Sequence, residues 1–183
     1  ALVLTFLFLL YYRYNLKIKL KDFFKFSLAG IIIALHWITF FEAIEQSNIS
    51  ITLAMFSTGA FFASLIEPIF FKRKVRPVEI ILGFIVICGV FIILQANISS
   101  IIGVLLGIIS ALLASLFSVL NGKLVQDNNP FLISFYEFLS GVTFILLYLT
   151  FSGNLIDLNI ESFFSYDYLY VFILGSICTA YAF

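Results

Sequence analysis

The sequence predicts an all-α, polytopic membrane protein made of two inverted five-helix repeats and cut at both ends. Three observations predict it. Of 183 residues only 11% are charged and 63% are hydrophobic, with a mean hydropathy of +1.16, whereas a soluble domain needs roughly a quarter charged residues to cover its surface. Apolar windows near the ~20 residues that carry a helix across a ~30 Å hydrocarbon core recur along the chain, and basic residues occupy every second joint between them. Finally, residues 29–38 (AGIIIALHWI) and 174–183 (LGSICTAYAF) match weakly when Gly30 is set on Gly175, which pairs Ala34 with Thr179 and His36 with Tyr181.

Taken in order, residues 1–12 are an apolar run with neither an initiator Met nor a basic leader, the expected tail of a span in a fragment. Further spans are expected over 26–44, 51–71, 78–95, 101–124 and 130–151, and a last one opens near Leu169 and stops mid-run at Phe183. Arg13, Lys17, Lys19, Lys21 and Lys25 fill the first joint; Lys72, Arg73, Lys74 and Arg76 the second; Lys123 stands in the third, which accounts for all ten basic residues. The joints between these contain none. Lys and Arg flanking short loops are retained on the cytoplasmic side, so residues 13–25, 72–77 and 121–129 are expected in the cytoplasm of a multi-pass protein of the inner (plasma) membrane. On this topology the Gly30 and Gly175 spans enter from opposite faces, as in the inverted repeats of secondary transporters. A shift of 145 residues (30 to 175) implies a parent of roughly 285 residues and ten helices.

Net charge is zero, which removes any electrostatic case for nucleic acid. Cys88 and Cys178 fall inside apolar windows and are expected as free, buried thiols. No phosphate-binding glycine loop, nucleophile elbow or metal-ligand spacing occurs, so neither enzymatic activity nor a cofactor or metal is expected. Asn48-Ile49-Ser50 and Asn97-Ile98-Ser99 fit the glycosylation triplet, a pattern frequent by chance.

The chemistry lies in polar side chains inside spans, where an ionisable group costs about 3 kcal/mol and tends to face a cavity or a partner. His36 stands about ten residues, or ~15 Å, into its span, near the midplane, with Thr39, Ala43 and Gln46 following at helical spacing. It either lines a substrate cavity, with proton coupling as a further step, or is a neutral ring satisfied by a neighbouring helix. Trp37 either stacks on substrate or packs against lipid. Glu42 and Glu45 are near the outer end of the span, with Glu45 assigned to solvent. Ser57, Ala60, Ser64 and Glu67 fall at i, i+3, i+7 and i+10, a stripe that either lines the cavity or lets helices approach closely. Glu67 precedes Pro68, and either gates the cytoplasmic end by pairing with Lys72 or Arg73 or simply anchors those residues. Gly103, Gly107, Ser110, Ala111, Ala114 and Ser118 form a small-residue ladder read as packing, with Asn121 beyond it; Ser134, Glu137 and Gly141 share a similar face.

ALHWITFFEAIEQSNISITLAMFSTGAFFASLIEPIFFKRKVRPVEIILGFIVICGVFII, residues 34–93, resembles the first repeat of EamA-type permeases of the drug/metabolite transporter superfamily: a small-residue span, an S-N-I-S joint, a span ending in E-P, a basic turn and a G-x5-G-V span. GVLLGIISALLASLFSVLNGKLV, residues 103–125, resembles the opening helix of the second repeat. The resemblance implies that residues 1–96 hold helices 2–5 of the first repeat and 101–183 helices 6–8 of the second. It also implies a central cavity lined mainly by the third, fourth, eighth and ninth helices. The expected function is alternating-access transport of small metabolites, amino-acid-like compounds or drugs, with substrate held by His36, Trp37, Thr39, Ser57, Ser64, Glu67 and Tyr181. The alternative is a non-transporting or channel-like helical assembly.

Overall fold

The structure is a computed structural model that describes residues 1–96, 100–152 and 166–175. Among these residues the regular elements are all helices, α1 (Leu2–Tyr11), α2 (Leu20–Gln46), α3 (Ile49–Phe56), α4 (Gly59–Phe71), α5 (Pro77–Ala96), α6 (Ile101–Leu124), α7 (Pro130–Phe151) and α8 (Tyr166–Ile173), joined by turns and short loops. Among the described residues four segments, α2, α3 with α4 taken together, α6 and α7, are long and apolar enough to cross a membrane. Large exposed side chains, such as Leu146 and Phe151 on α7 or Ile81, Phe84 and Phe91 on the shorter apolar helix α5, suit a solvent of acyl chains rather than water.

The helix ends follow local chemistry. Asn48 caps α3 by accepting from the Ile51 amide at 2.9 Å, and Ser100 caps α6 by accepting from Gly103 at 3.3 Å. Asn129 caps α7 from the Phe131 amide at 2.9 Å with Pro130 in the first helical position, where its missing N–H costs nothing. Thus Asn48 of the first N-I-S triplet has a structural role. α2 begins at Leu20, six residues before the apolar run that signals it, because its charged first turns remain helical with Lys25 bonded to Asp22 at 3.0 Å.

The expected single span over 51–71 is interrupted at Ser57–Thr58. The Ser57 hydroxyl donates to the Ala54 carbonyl and the Thr58 hydroxyl to the Met55 carbonyl, both at 2.6 Å, while the Thr58 amide bonds three residues back, to Met55, at 3.0 Å. Hydroxyls taking over carbonyls in this way compete with the helical ladder, and the turn tightens. The predicted stripe therefore does not keep one face: Ser57 and Ala60 are exposed, Ser64 is buried and Glu67 is half-buried.

The chain divides into two compact units, residues 32–127 and residues 1–31 with 128–183. In the first, α6 packs on α3 and α4, and α5 on the same two helices. One face of α6 makes these contacts. A methyl on Gly103 would lie 2.6 Å from Ser47 Cβ, and one on Gly107 2.8 Å from Met55 Cβ; Ser115 Oγ stands 2.7 Å from the Gly59 carbonyl of α4. The small-residue ladder is thus real over Gly103, Gly107, Ser110 and Ala111, but Ser118 is exposed and Ser115 takes the buried place. Ile51, Met55 and Val90 form the apolar core between α3 and α5. Cys88 is exposed on α5, not buried as expected; in lipid a thiol gains little by burial. Cys178 lies outside the described residues.

In the second unit α1 packs on α7, with Phe8 stacked on Phe131 at 4.3 Å and Phe6 on Phe135 at 5.6 Å. Ser134, Glu137 and Gly141 are all buried along α7, the face expected from spacing. Gly30 of α2 lies directly against the Glu137 backbone, with no room for a methyl group. Its proposed repeat partner Gly175 differs: among the described residues the nearest atom to a Cβ placed there is the Ala1 backbone nitrogen, at 4.0 Å.

Two glycine substitutions separate packing from propensity. Gly30→Ala should cost about 1–3 kcal/mol by overpacking. Gly89→Ala, with no atom of the described residues within 4 Å of the added carbon, should be neutral or stabilise by up to about 1 kcal/mol. Thermal unfolding of the two variants in one detergent measures the difference.

Candidate functional site

His36 is the ionisable side chain that this fold holds deepest within the residue 32–127 unit, at 6% exposure. It arrives there because Ile32, Ala34, His36 and Ala43 are the buried positions of the second half of α2. A hydroxyl on a helix can bond to a carbonyl three or four residues back. Thr39 does so, donating to Leu35 and His36 carbonyls at 2.9 and 3.0 Å. An imidazole is held too far from its own backbone for this and must find a partner on another helix.

That partner is Ser110 of α6, 74 residues away. His36 Nδ1 lies 3.0 Å from the Ser110 carbonyl oxygen and 2.9 Å from its hydroxyl, and the same hydroxyl is 3.4 Å from the His36 carbonyl. A carbonyl can only accept, so the bond to it places a proton on Nδ1. In the neutral ring Nε2 then carries the lone pair, and it has no hydrogen-bond partner among the described residues. The ring is flanked by Trp37, Phe56 and Phe40 at centroid distances of 5.4, 5.5 and 5.8 Å. The arrangement is an acceptor nitrogen set among aromatic faces, able to take a hydrogen bond from an ammonium, amide or hydroxyl donor while the π faces attract positive charge.

The other expected residues are dispersed. Trp37 is half-buried, 5.7 Å from exposed Phe41 and stacked on it, so its ring bridges the histidine and the outer surface of α2. Glu42 accepts from Gln46 at 2.9 Å, and Glu45 is exposed. Ser57 returns its hydroxyl to its own backbone, as does buried Ser64, which donates to Phe61 at 2.7 Å. Tyr181 lies outside the described residues. Sequence reasoning placed Ser110 in a packing ladder and did not pair it with His36; no local signal marks a contact between positions so far apart.

Glu67 belongs to a second cluster. Lys72 takes a left-handed conformation, φ 51°, at the end of α4, which turns Arg73 back toward the helix. The guanidinium bonds Glu67 at 3.2 Å through Nε and again through Nη2, and grips Glu79 at the start of α5 through Nη1 and Nη2 at 3.1 and 3.0 Å. Of the two cations proposed for Glu67, Arg73 is the one used. One planar fork thereby ties α4 to α5. Hydrogen bonds to Glu67 first and Glu79 second push the Arg73 pKa above its ordinary value. A cation with a raised pKa contributes stability that is complete below the ordinary value and is lost only as pH climbs through the raised one.

Among the described residues no group of three His, Cys, Asp or Glu side chains is placed to hold a metal ion. No family model, no curated protein and no solved structure matches the chain.

The single histidine makes its tautomer readable. Nitrogen-15 NMR should show protonated Nδ1 and unprotonated Nε2 near neutral pH. Ser110→Ala, which retains the carbonyl, should leave this pattern unchanged at a cost of about 0.5–1.5 kcal/mol, whereas His36→Ala, which opens a cavity among the rings, should cost roughly 2–5 kcal/mol. Arg73→Gln should lower the melting temperature by an offset that stays constant from about pH 7 to 10, where the guanidinium remains charged.

Proposed function

We propose that the chain belongs to a multi-pass secondary transporter of the drug/metabolite type that its sequence resembles, with basic loops 13–25, 72–77 and 121–129 facing the cytoplasm. The observation that carries this reading is His36: an ionisable ring buried within a membrane-length helix, held in one tautomer by Ser110 and walled by aromatic side chains. Intramembrane groups of this kind mark substrate or proton paths. The free Nε2 lone pair and the π faces favour a small amphipathic amine or amino-acid-like compound over an anion, and a site that accepts a hydrogen bond rejects ligands lacking the donor. Substrate reaches the ring by parting α2 from α3 and α6, the motion of alternating access.

A second reading is a packed helical assembly in which His36 is only a staple between α2 and α6. It is favoured by the hydroxyls of Thr39, Ser57 and Ser64, all bonded to their own helices rather than aimed at a ligand.

Vesicles carrying the full-length protein, loaded against a panel of amines, amino acids and organic anions with and without a pH gradient, decide between them. Transport predicts saturable flux of an amine or amino-acid-like compound that His36→Phe lowers at least tenfold while the protein stays folded. Flux indifferent to that substitution removes the histidine from the mechanism, and no flux of any compound leaves the assembly reading.

A further inference from the structure

In the unit of residues 1–31 with 128–183, the α2 segment before residue 32 and α7 border an open cleft of about 390 Å³, between Phe23 and Ile31 on one side and Leu139, Ser140, Thr143 and Leu147 on the other. Its hydroxyls are already engaged: Thr143 donates to Leu139 at 2.7 Å, and Ser140 donates to Tyr136 at 2.8 Å and stands 3.0 Å from the Ser27 hydroxyl. The remaining wall is hydrocarbon, so the cleft suits an alkyl chain and gives a polar ligand nothing to bond. Phe23 to Ile31, like Leu139 to Leu147, rises about 12 Å, close to the depth of one leaflet of a ~30 Å core.

Positive charge stands at the Phe23 end. The Lys19 carbonyl accepts the Phe23 amide at 3.0 Å, and Lys19, Phe23, Ser27 and Ile31 follow one another at intervals of four, the ridge that borders the cleft. The loop carrying Lys17 is fastened to α7 by the Tyr136 hydroxyl, which donates to the Leu16 carbonyl at 2.7 Å, one turn before Ser140. Lys17 and Lys19 are exposed and pair with no carboxylate among the described residues, unlike Lys25, which is bonded to Asp22. The amides at the start of α2 add the positive end of a 27-residue helix.

We propose that this cleft binds an anionic glycerophospholipid, with its phosphate held by Lys17 and Lys19 at the start of α2 and one acyl chain laid between α2 and α7. The alkyl-lined wall sets the depth of the chain, and Lys17 and Lys19, at the Phe23 end of the cleft, select the headgroup. The site shares no residue with the His36 cluster and stands whether or not the protein transports.

Native mass spectrometry of the purified chain, titrated in detergent with dioleoyl phosphatidylglycerol or dioleoyl phosphatidylcholine, tests it. One phosphatidylglycerol per chain should be retained in preference to phosphatidylcholine by roughly tenfold or more, since each surface lysine contributes about fivefold. Lys19→Gln should reduce that preference about fivefold. Lys21→Gln removes the same charge about 160° around the helix from Phe23 and should leave it intact. Thr143→Trp, at an exposed position in the wall, should lower retention of both lipids by filling the cleft. Equal retention of the two lipids overturns the proposal, as does an equal effect of Lys19→Gln and Lys21→Gln, which would mean diffuse surface charge. A dimer that Thr143→Trp dissolves, with lipid retention unchanged, overturns it in favour of a second copy covering the cleft.

Discussion

A polar atom inside hydrocarbon has to be satisfied by the protein itself, since no water is there to do it. Along these helices the commonest solution is local. Thr5, Thr39, Ser47, Ser64, Ser140, Thr143 and Thr150 all donate to carbonyls three or four residues back. Such a bond neutralises a hydroxyl without requiring a neighbour, so it leaves helix packing to shape alone. His36 has no such option. Its need for an acceptor on another helix fixes α2 against α6 at Ser110, and the same face of α6 then positions Gly107 on α3 and Ser115 on α4. One face of α6 thereby meets three neighbours, α2 at Ser110, α3 at Gly107 and α4 at Ser115.

Where helices begin and end was readable wherever a local device marks the boundary. The spans at 101–124 and 130–151 match α6 and α7 at both ends, because Ser100 and the Asn129-Pro130 pair are capping signals that act within one turn. α2 starts before the apolar run at residue 26 because charges at Lys21, Asp22 and Lys25, which read as loop by hydropathy, are compatible with the first turns of a helix entering a bilayer. The break at Ser57–Thr58 had its signal in the Ser-Thr-Gly triplet, which hydropathy alone passes over: two adjacent hydroxyls that take carbonyls from the ladder, followed by a residue small enough for Ser115 to reach its backbone.

The candidate site was legible in one half. An isolated histidine deep in an apolar run is costly enough to be singled out from sequence, and its burial follows from the spacing of Ile32, Ala34 and Ala43 around it. Its partner was not legible, because Ser110 looks like any other small residue in a ladder and the pairing joins helices far apart in the chain. Glu67 was recognised as a group needing a cation, yet choosing Arg73 over Lys72 depends on the left-handed turn at Lys72, which propensity disfavours for a lysine. Residues whose role is set by a neighbour's geometry carry no mark in their own sequence context.

The interruption at Ser57–Thr58 also changes how this span meets a bilayer. α3 is about 12 Å long and α4 about 20 Å, by their 8 and 13 residues. A straight helix answers a thinner or thicker membrane by tilting as one body. Two rods with a joint have two tilt angles, and the difference between them is taken up where Gly59 meets Ser115. A joint of this kind lets part of a hydrophobic mismatch be taken up inside the span, between the Asn48 cap at one end and the Arg73 grip at the other.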